Sequence, residues 1–390
     1  MKSILYVQFT DPAVYPPLQH SAHLLADRGW SVHFVGVEPN TGACDLRMRP
    51  HSRITMDRLG PTGRGPRLAA TYARFLARCR REILMRRPDV VYCSDVRSYP
   101  VGLWASYRSG IKTVLHEHDP PSARGSKVAR ALGGIRRRFA QRATVCIIPQ
   151  ADRAAGFRAA TGARSIAVAY NCPARREISG PPPATAHDRL VLWYHGSIGP
   201  GQLPDSVIAA LARLPRGVRL EFAGYETVST TGYVSHLIAM SEHLGVGDRV
   251  AYRGPLPLRS ELLAAATTAH AGLALFARTF RDPMVGASNK PFEYLACGLP
   301  LVTNDTEEWR AFFGAAGVAI GCDPDSPDDI ARAVRWLLDH PDERRAMAKR
   351  GRDRVLAEWH YEHQFQPVVD VLEAEQVLAE RKLATGAKAS

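Results

Sequence analysis

The chain has 390 residues, 45% hydrophobic and 23% charged, with a formal net charge of +13. That length exceeds one ordinary core and predicts two domains, while the composition excludes a disordered or fibrous chain. Seven scattered cysteines with no CxxC pair argue against a disulfide framework or zinc site and for reduced, buried thiols, and the positive charge calls for an anionic partner or surface.

Met1-Lys2-Ser3 leads directly into a short apolar run at 4–9, which is strand-like and shorter than a secretory signal core. A helix at 18–28 is ended by Gly29, and a second strand lies at 32–37. A long arginine-rich helix at 67–86 runs into Pro88, and strands follow at 90–93, 113–115, 145–148 and 166–169. This alternation predicts a doubly wound parallel sheet. Residues 175–188 include Gly180-Pro181-Pro182-Pro183, which propagates neither helix nor central strand, and form the predicted linker. The second series has strands at 190–194, 219–222, 250–252, 272–277 and 299–303, with helices at 207–214 and 260–266. Ser326 before Pro327-Asp328-Asp329 predicts a helix start for 330–338. Residues 343–378 read as mostly helical and 384–390 as a disordered tail. The predicted class is therefore α/β, with Rossmann-like domains at 1–174 and 189–358 and a C-terminal helix and tail at 359–390. In open α/β folds ligands bind at the sheet edges, so two such halves predict a cleft site.

The densest signal is Ser288-Asn289-Lys290-Pro291-Phe292-Glu293, followed by Tyr294-Leu295-Ala296-Cys297-Gly298-Leu299-Pro300-Leu301-Val302. Ser288 and Asn289 are N-cap types, Pro291 is tolerated only in a first helical turn, and Gly298 is placed to end the helix. A helix start at a strand's carboxyl edge with Lys290 on it suits a phosphate, and Glu293 one turn on suits a polyol such as a ribose. The same spacing also fits a solvent-exposed i,i+3 pair.

With those residues in place, the chain resembles the GT-B-fold glycosyltransferases, and within them glycosyltransferase family 4. The stretch from Ser288 to Asp305 is similar to that family's donor-binding segment. Tyr194-His195-Gly196-Ser197, Phe222-Ala223-Gly224, Tyr252-Arg253-Gly254, Asn171 and His116-Glu117-His118-Asp119 match its pattern in order. The resemblance implies a retaining, nucleotide-sugar-dependent enzyme with two Rossmann-like domains and a C-terminal helix that crosses back. It also implies that Glu293 binds the ribose and that Ser288, Asn289 and Lys290 hold the diphosphate. Gly196 and Ser197 would then lie against the phosphates, Arg253 and Gly254 beside the base, and His118 facing the transferred sugar. For His118 a polar loop end, or half of a metal site lacking its third ligand, stays an alternative.

Three departures from the family pattern stand out. Where many members carry a first glutamate, eight positions before Glu293, this chain has Val285; Asp282 or the backbone from Gly286 to Ser288 must then contact the sugar. The loop after Gly196 reads Ser197-Ile198-Gly199-Pro200-Gly201-Gln202 and lacks the usual Arg and Lys, which leaves Lys290, Arg278 and Arg281 to neutralise a leaving diphosphate. The Gly-rich loop after the first strand is replaced by residues 11–20, a stiff aromatic loop whose Tyr15 and His20 are the expected acceptor contacts, or else a rigid turn before a helix. Asp323-Pro324-Asp325 imitates a metal-binding DxD but precedes a helix start, where capping explains it. No metal or other cofactor is expected.

The expected reaction moves a hexosyl group from a nucleoside diphosphate sugar to an acceptor hydroxyl. Because no carboxylate is placed as a nucleophile, attack would come from the front face. A nucleotide-sugar epimerase of the same fold and a catalytically weakened binding protein are the alternatives. The arginine-rich segments 67–87 and 127–142 fit either an anionic membrane carrying a lipid-linked acceptor or a solvated basic face. No aromatic-interleaved basic strand suggests nucleic acid. No apolar stretch approaches the roughly 20 residues that span a bilayer, so the expected location is cytoplasmic, with contact at the inner membrane face if the arginine segments dock.

Overall fold

The computed structural model describes residues 1–38, 47–63, 65–118, 127–178, 189–279 and 284–386. The chain divides into two compact units, one running to Tyr170 and resumed from Tyr361, the other comprising Asn171–His360 together with Arg47.

The first unit holds β1 (Ser3–Val7), β2 (Ser31–Val37), β3 (Ile54–Leu59), β4 (Val90–Cys93), β5 (Lys112–His116), β6 (Val145–Ile148) and β7 (Ile166–Val168). All pairs are parallel, in the order 3-2-1-4-5-6-7. Successive residues of β1 feed opposite cores: Leu5 and Val7 join Val91 and Leu115 on one face, while Ile4 and Tyr6 join Phe34 and Tyr92 on the other. Burial on both faces is why these strands read as unbroken apolar runs. The C-terminal helix Tyr361–Gly386 adds Tyr361, Phe365, Val368 and Leu372 to the second core, beside Leu18 and Leu25 of the helix Pro16–Asp27. It continues to Gly386, so residues 384–386 are helical rather than the start of an unstructured tail.

Three elements of this unit escape the sequence reading, the helix Ala151–Thr161 among them. β3 is a half-exposed edge strand whose Ile-Thr-Met-Asp-Arg-Leu carries no apolar run. The helix Tyr99–Ala105 contains Pro100 and Gly102, both poor signals for a helix. Gly102 is needed there, because a Cβ would come within 2.2 Å of the Phe139 ring.

The second unit holds β8 (Leu190–Ile198), β9 (Val218–Glu226), β10 (Val250–Tyr252), β11 (Ala271–Ala274), β12 (Leu301–Asn304) and β13 (Ala319–Cys322), parallel in the order 10-9-8-11-12-13. Winding reverses between β8 and β11, and the carboxyl ends at such a reversal are where open α/β sheets bind ligands. β8 and β9 run four residues further than expected, in register to Ile198 and Glu226, so Gly196 lies opposite Gly224. Ser326 caps the helix Pro327–Asp339, its side chain accepting from the Asp329 amide at 3.3 Å. Cys79, Cys93, Cys146, Cys172, Cys297 and Cys322 are buried; Cys44 and the Pro-rich stretch 179–188 lie outside the described residues. No described helix is long and apolar enough to cross a membrane.

Candidate functional site

Three glycines with positive φ stand at the carboxyl ends of β8, β9 and β10: Gly196 (118°), Gly224 (143°) and Gly254 (75°). A Cβ on Gly224 would fall 1.8 Å from the Gly196 carbonyl oxygen, and the Gly224 amide donates to the Gly254 carbonyl at 3.0 Å. At Gly224 only glycine permits this approach of β9 to β8. Over the Gly196 edge lies Lys290; a Cβ on Gly196 would sit 3.0 Å from its Cε. The Lys290 ammonium rests 5.2 Å from the Tyr194 ring centroid and 5.4 Å from that of Phe276. It is half-buried, makes no ion pair with any described residue, and burial pushes it down to about 8 against the pull of Glu293. A desolvated cation beside this backbone edge is chemically suited to an anion.

Glu293 is 3% exposed, which rules out the solvated i,i+3 pair. Its Oε2 accepts from His195 Nε2 at 2.6 Å and its Oε1 from Arg259 Nη1 at 2.7 Å. The Trp193 indole N–H donates to His195 Nδ1 at 2.9 Å, so Nδ1 carries the lone pair, Nε2 the proton, and the ring is neutral. Burial lowers His195 in the same sense, against the pull of Glu293. Burial would raise the Glu293 carboxyl, but Arg259 and His195 outweigh it and hold it down at about 2. Glu293 is therefore an ionised, oriented acceptor whose oxygens each keep lone-pair capacity beyond one bond.

The remaining donor-side expectations fare differently. Lys290 begins the helix Lys290–Ala296 and Gly298, at φ 74°, follows its end. Neither Ser288 nor Asn289 caps it: Asn289 is itself helical, and the preceding turn already bonds the Ser288 amide to the Met284 carbonyl. Ser288 is buried, and the Oδ1 of Asn289 is buried without a hydrogen-bond partner among the described residues. Ser197 accepts at its carbonyl from the Tyr194 hydroxyl. Arg253 points its guanidinium at Glu221 (2.7 Å) and its amide at the Phe222 carbonyl, and Gly254 follows it with open space where a Cβ would be. Arg278 is surface-exposed and paired with Asp323, so it is not a free cation for a phosphate. Asp323 also accepts from the Asp325 amide, which accounts for the DxD-like triplet. Asp282 and Arg281 lie outside the described residues. Val285 is buried.

In the first unit, His118 follows β5 and stacks on Tyr15 with ring centroids 5.2 Å apart, 3.9 Å from the His116 ring. Arg153 donates to the His118 carbonyl at 2.9 Å. Neither ring nitrogen of His118 has a hydrogen-bond partner among the described residues, and burial, with Arg153 nearby, pushes the imidazole down to about 3. It is a neutral ring with donor and acceptor both available. Tyr15 and His118 thus come together; His20 does not join them. It is buried on the helix Pro16–Asp27 against Tyr361, 5.2 Å between ring centroids.

The two halves of the chain match two family models: residues 17–173 a glycosyl transferase 4-like domain, and residues 205–370 a glycosyl transferase-like domain. The chain is a GT-B-fold glycosyltransferase. Its fold is similar to that of sucrose-phosphate synthase from Thermosynechococcus elongatus, with TM-score 0.74 and 17% identity over 98% of this chain and 100% of that one. Anabaena HepE in complex with UDP aligns with TM-score 0.70 and 17% identity over 96% and 100%. A trehalose-6-phosphate structure from E. coli, bound with UDP-2-fluoro glucose, gives 0.69 and 12% over 95% and 99%. No curated protein matches the sequence of the chain.

Much of the glycosyltransferase's arginine is internal wiring. On the helix Pro66–Arg86, Arg78 pairs with Asp57 and Glu82, and Arg86 with Glu82. On the helix Lys127–Arg142, Arg136 grips Glu117 through two bonds of 2.5 and 2.7 Å. Sequence reasoning missed Arg259 and gave His195 no role, although His195 sits inside a motif it singled out. No short-range pattern links either residue to Glu293.

Proposed function

We propose that the enzyme binds a nucleoside diphosphate sugar at the carboxyl edge of β8–β10 and transfers the sugar, with retention, to an acceptor hydroxyl. The observation that carries this reading is Lys290, a desolvated ammonium with no carboxylate ion pair among the described residues, laid over the backbone edge at Gly196. HepE and the E. coli structure, solved with UDP and a UDP sugar, support a nucleotide at this fold's donor side. In this reading Lys290 neutralises the leaving diphosphate, flanked by Ser197, Ser288 and the Asn289 amide. Glu293 accepts from ribose hydroxyls, and the Arg253–Gly254 backbone lies beside the base. His118 contacts the transferred sugar and Tyr15 the acceptor. The leaving phosphate takes the acceptor's proton as the new glycosidic bond forms on the same face, and charge neutralisation needs no metal. The enzyme is cytoplasmic in this account. Its acceptor is lipid-linked if the arginine helices co-sediment with anionic vesicles at low salt.

Proton NMR of the first sugar released or transferred from an α-configured nucleotide sugar tests the stereochemistry. The α-anomer appears first under retention, ahead of mutarotation; a first product in the β configuration contradicts the reading.

A further inference from the structure

Glu293 is held from a distance, and the holder is itself held. Arg259, at the start of the helix Arg259–Ala266, presents Nε and Nη2 to the two oxygens of Glu177 at 2.9 and 3.0 Å, while Nη1 reaches Glu293. A bidentate fork of this kind fixes the guanidinium plane. The exposures, 16% for Arg259, 15% for Glu177 and 4% for Glu293, separate this from a surface ion pair. Glu177 belongs to the segment 171–177 that begins the second unit, and its Oε2 also accepts from the Ala174 amide at 3.0 Å. The other end of that segment grips the donor stretch as well: the Asn171 amide donates to the Gly286 carbonyl at 2.9 Å and its Nδ2 to the Ala287 carbonyl at 2.6 Å.

We infer that Arg259 is a positioning residue for donor binding, which fixes the Glu293 carboxylate in one orientation and is itself fixed by Glu177. The inference rests on the donor reading above. The groups that face Glu293 are His195 from β8, Arg259 with Glu177 behind it, Lys290 on its own helix, and the Tyr294 hydroxyl, which accepts from the His195 amide at 3.0 Å. Without Arg259, burial is no longer outweighed, and proton uptake by Glu293 moves up towards neutral pH. A protonated carboxyl offers ribose hydroxyls one acceptor fewer, so binding weakens as pH falls. Stability moves the other way, because protonation removes the buried charge that burial penalises. A merely structural arginine produces no such opposed pair of trends.

Calorimetric titration with UDP, GDP, ADP and dTDP and thermal melts at pH 7.5 and 5.5 test this on the full-length wild type, Arg259→Met, Arg259→Lys and Glu177→Gln. Relative to wild type, Arg259→Met is expected to bind the nucleotide that the wild type selects at least about ten-fold more weakly at pH 7.5, the loss of a charged hydrogen bond. That deficit deepens at pH 5.5, while its melting-temperature gap to wild type narrows. Arg259→Lys restores a pH-independent ratio at reduced affinity, and Glu177→Gln shows a smaller loss; these two decide the matter if Arg259→Met does not fold. Wild-type affinity in both Arg259→Lys and Glu177→Gln overturns the inference, as does an Arg259→Met melting gap that stays constant between the two pH values. A wild type that binds none of UDP, GDP, ADP and dTDP counts against the donor reading instead, and the melting arm then decides on its own whether Arg259 holds Glu293.

Discussion

Lys290→Ala is expected to lower turnover by a hundred- to a thousand-fold, about 3–4 kcal/mol of barrier, with little change in melting temperature. The asymmetry follows from what Lys290 touches. It makes no ion pair with a described residue, so its removal leaves no carboxylate uncompensated, and it relieves the desolvation that holds its pKa at about 8. In the proposed reaction its charge acts when a diphosphate leaves, and the described arginines named beside it are already engaged: Arg278 is paired with Asp323, and Arg259 with Glu177 and Glu293. A preorganised charge aimed at a developing anion contributes to the barrier and not to the resting fold. Steady-state kinetics beside a thermal melt check the prediction, and near-normal turnover in a folded Lys290→Ala variant removes the assignment.

Gly224→Ala carries the largest expected effect on stability. Its Cβ would fall 1.8 Å from the Gly196 carbonyl oxygen and 2.8 Å from the carbonyl carbon, at a φ of 143° that L side chains rarely adopt. Neither obstacle is a flexible side chain. Relief therefore requires parting β8 from β9 where they end, together with the Gly224 amide bond to Gly254. Overpacking with backbone strain costs about 3 kcal/mol or more, a fall in melting temperature of about 6–12 °C for a unit of this size. Gly196→Ala is the contrasting control. Its Cβ meets only the Lys290 side chain, which can give way, so it loses less stability and displaces the cation. A Gly224→Ala protein that melts with the wild type contradicts the close approach of the two strand ends.

The parts legible in the sequence were those with a local cause. Burial on both faces made most of the central strands continuous apolar runs, so β4 and β6 fall where expected to the residue, as does the short edge strand β10. The stretch from Ser288 to Val302 announced a strand-flanked helix with a cation and a carboxylate, and the glycine motifs were recognisable in order. What stayed hidden was set by distance or by competition. β8 extends past Tyr194 because Gly196 pairs with Gly224, a register no single strand encodes. Asn289 has the residue type of a cap but is already helical, so the turn before it decides its role. Arg259 lies 34 positions from Glu293 and 82 from Glu177; its part in the site is a product of folding alone. The aromatic loop before it points to an acceptor contact for His20, yet the period of its helix turns it inward against Tyr361.

The most direct test of the donor site is a thermal-shift screen of the wild type and Glu293→Ala against UDP, GDP, ADP and dTDP and their common sugar conjugates. The account predicts selective stabilisation of the wild type by one nucleotide family, lost in a folded Glu293→Ala variant, which identifies the base. Equal stabilisation of both proteins, or of neither by any nucleotide, contradicts it.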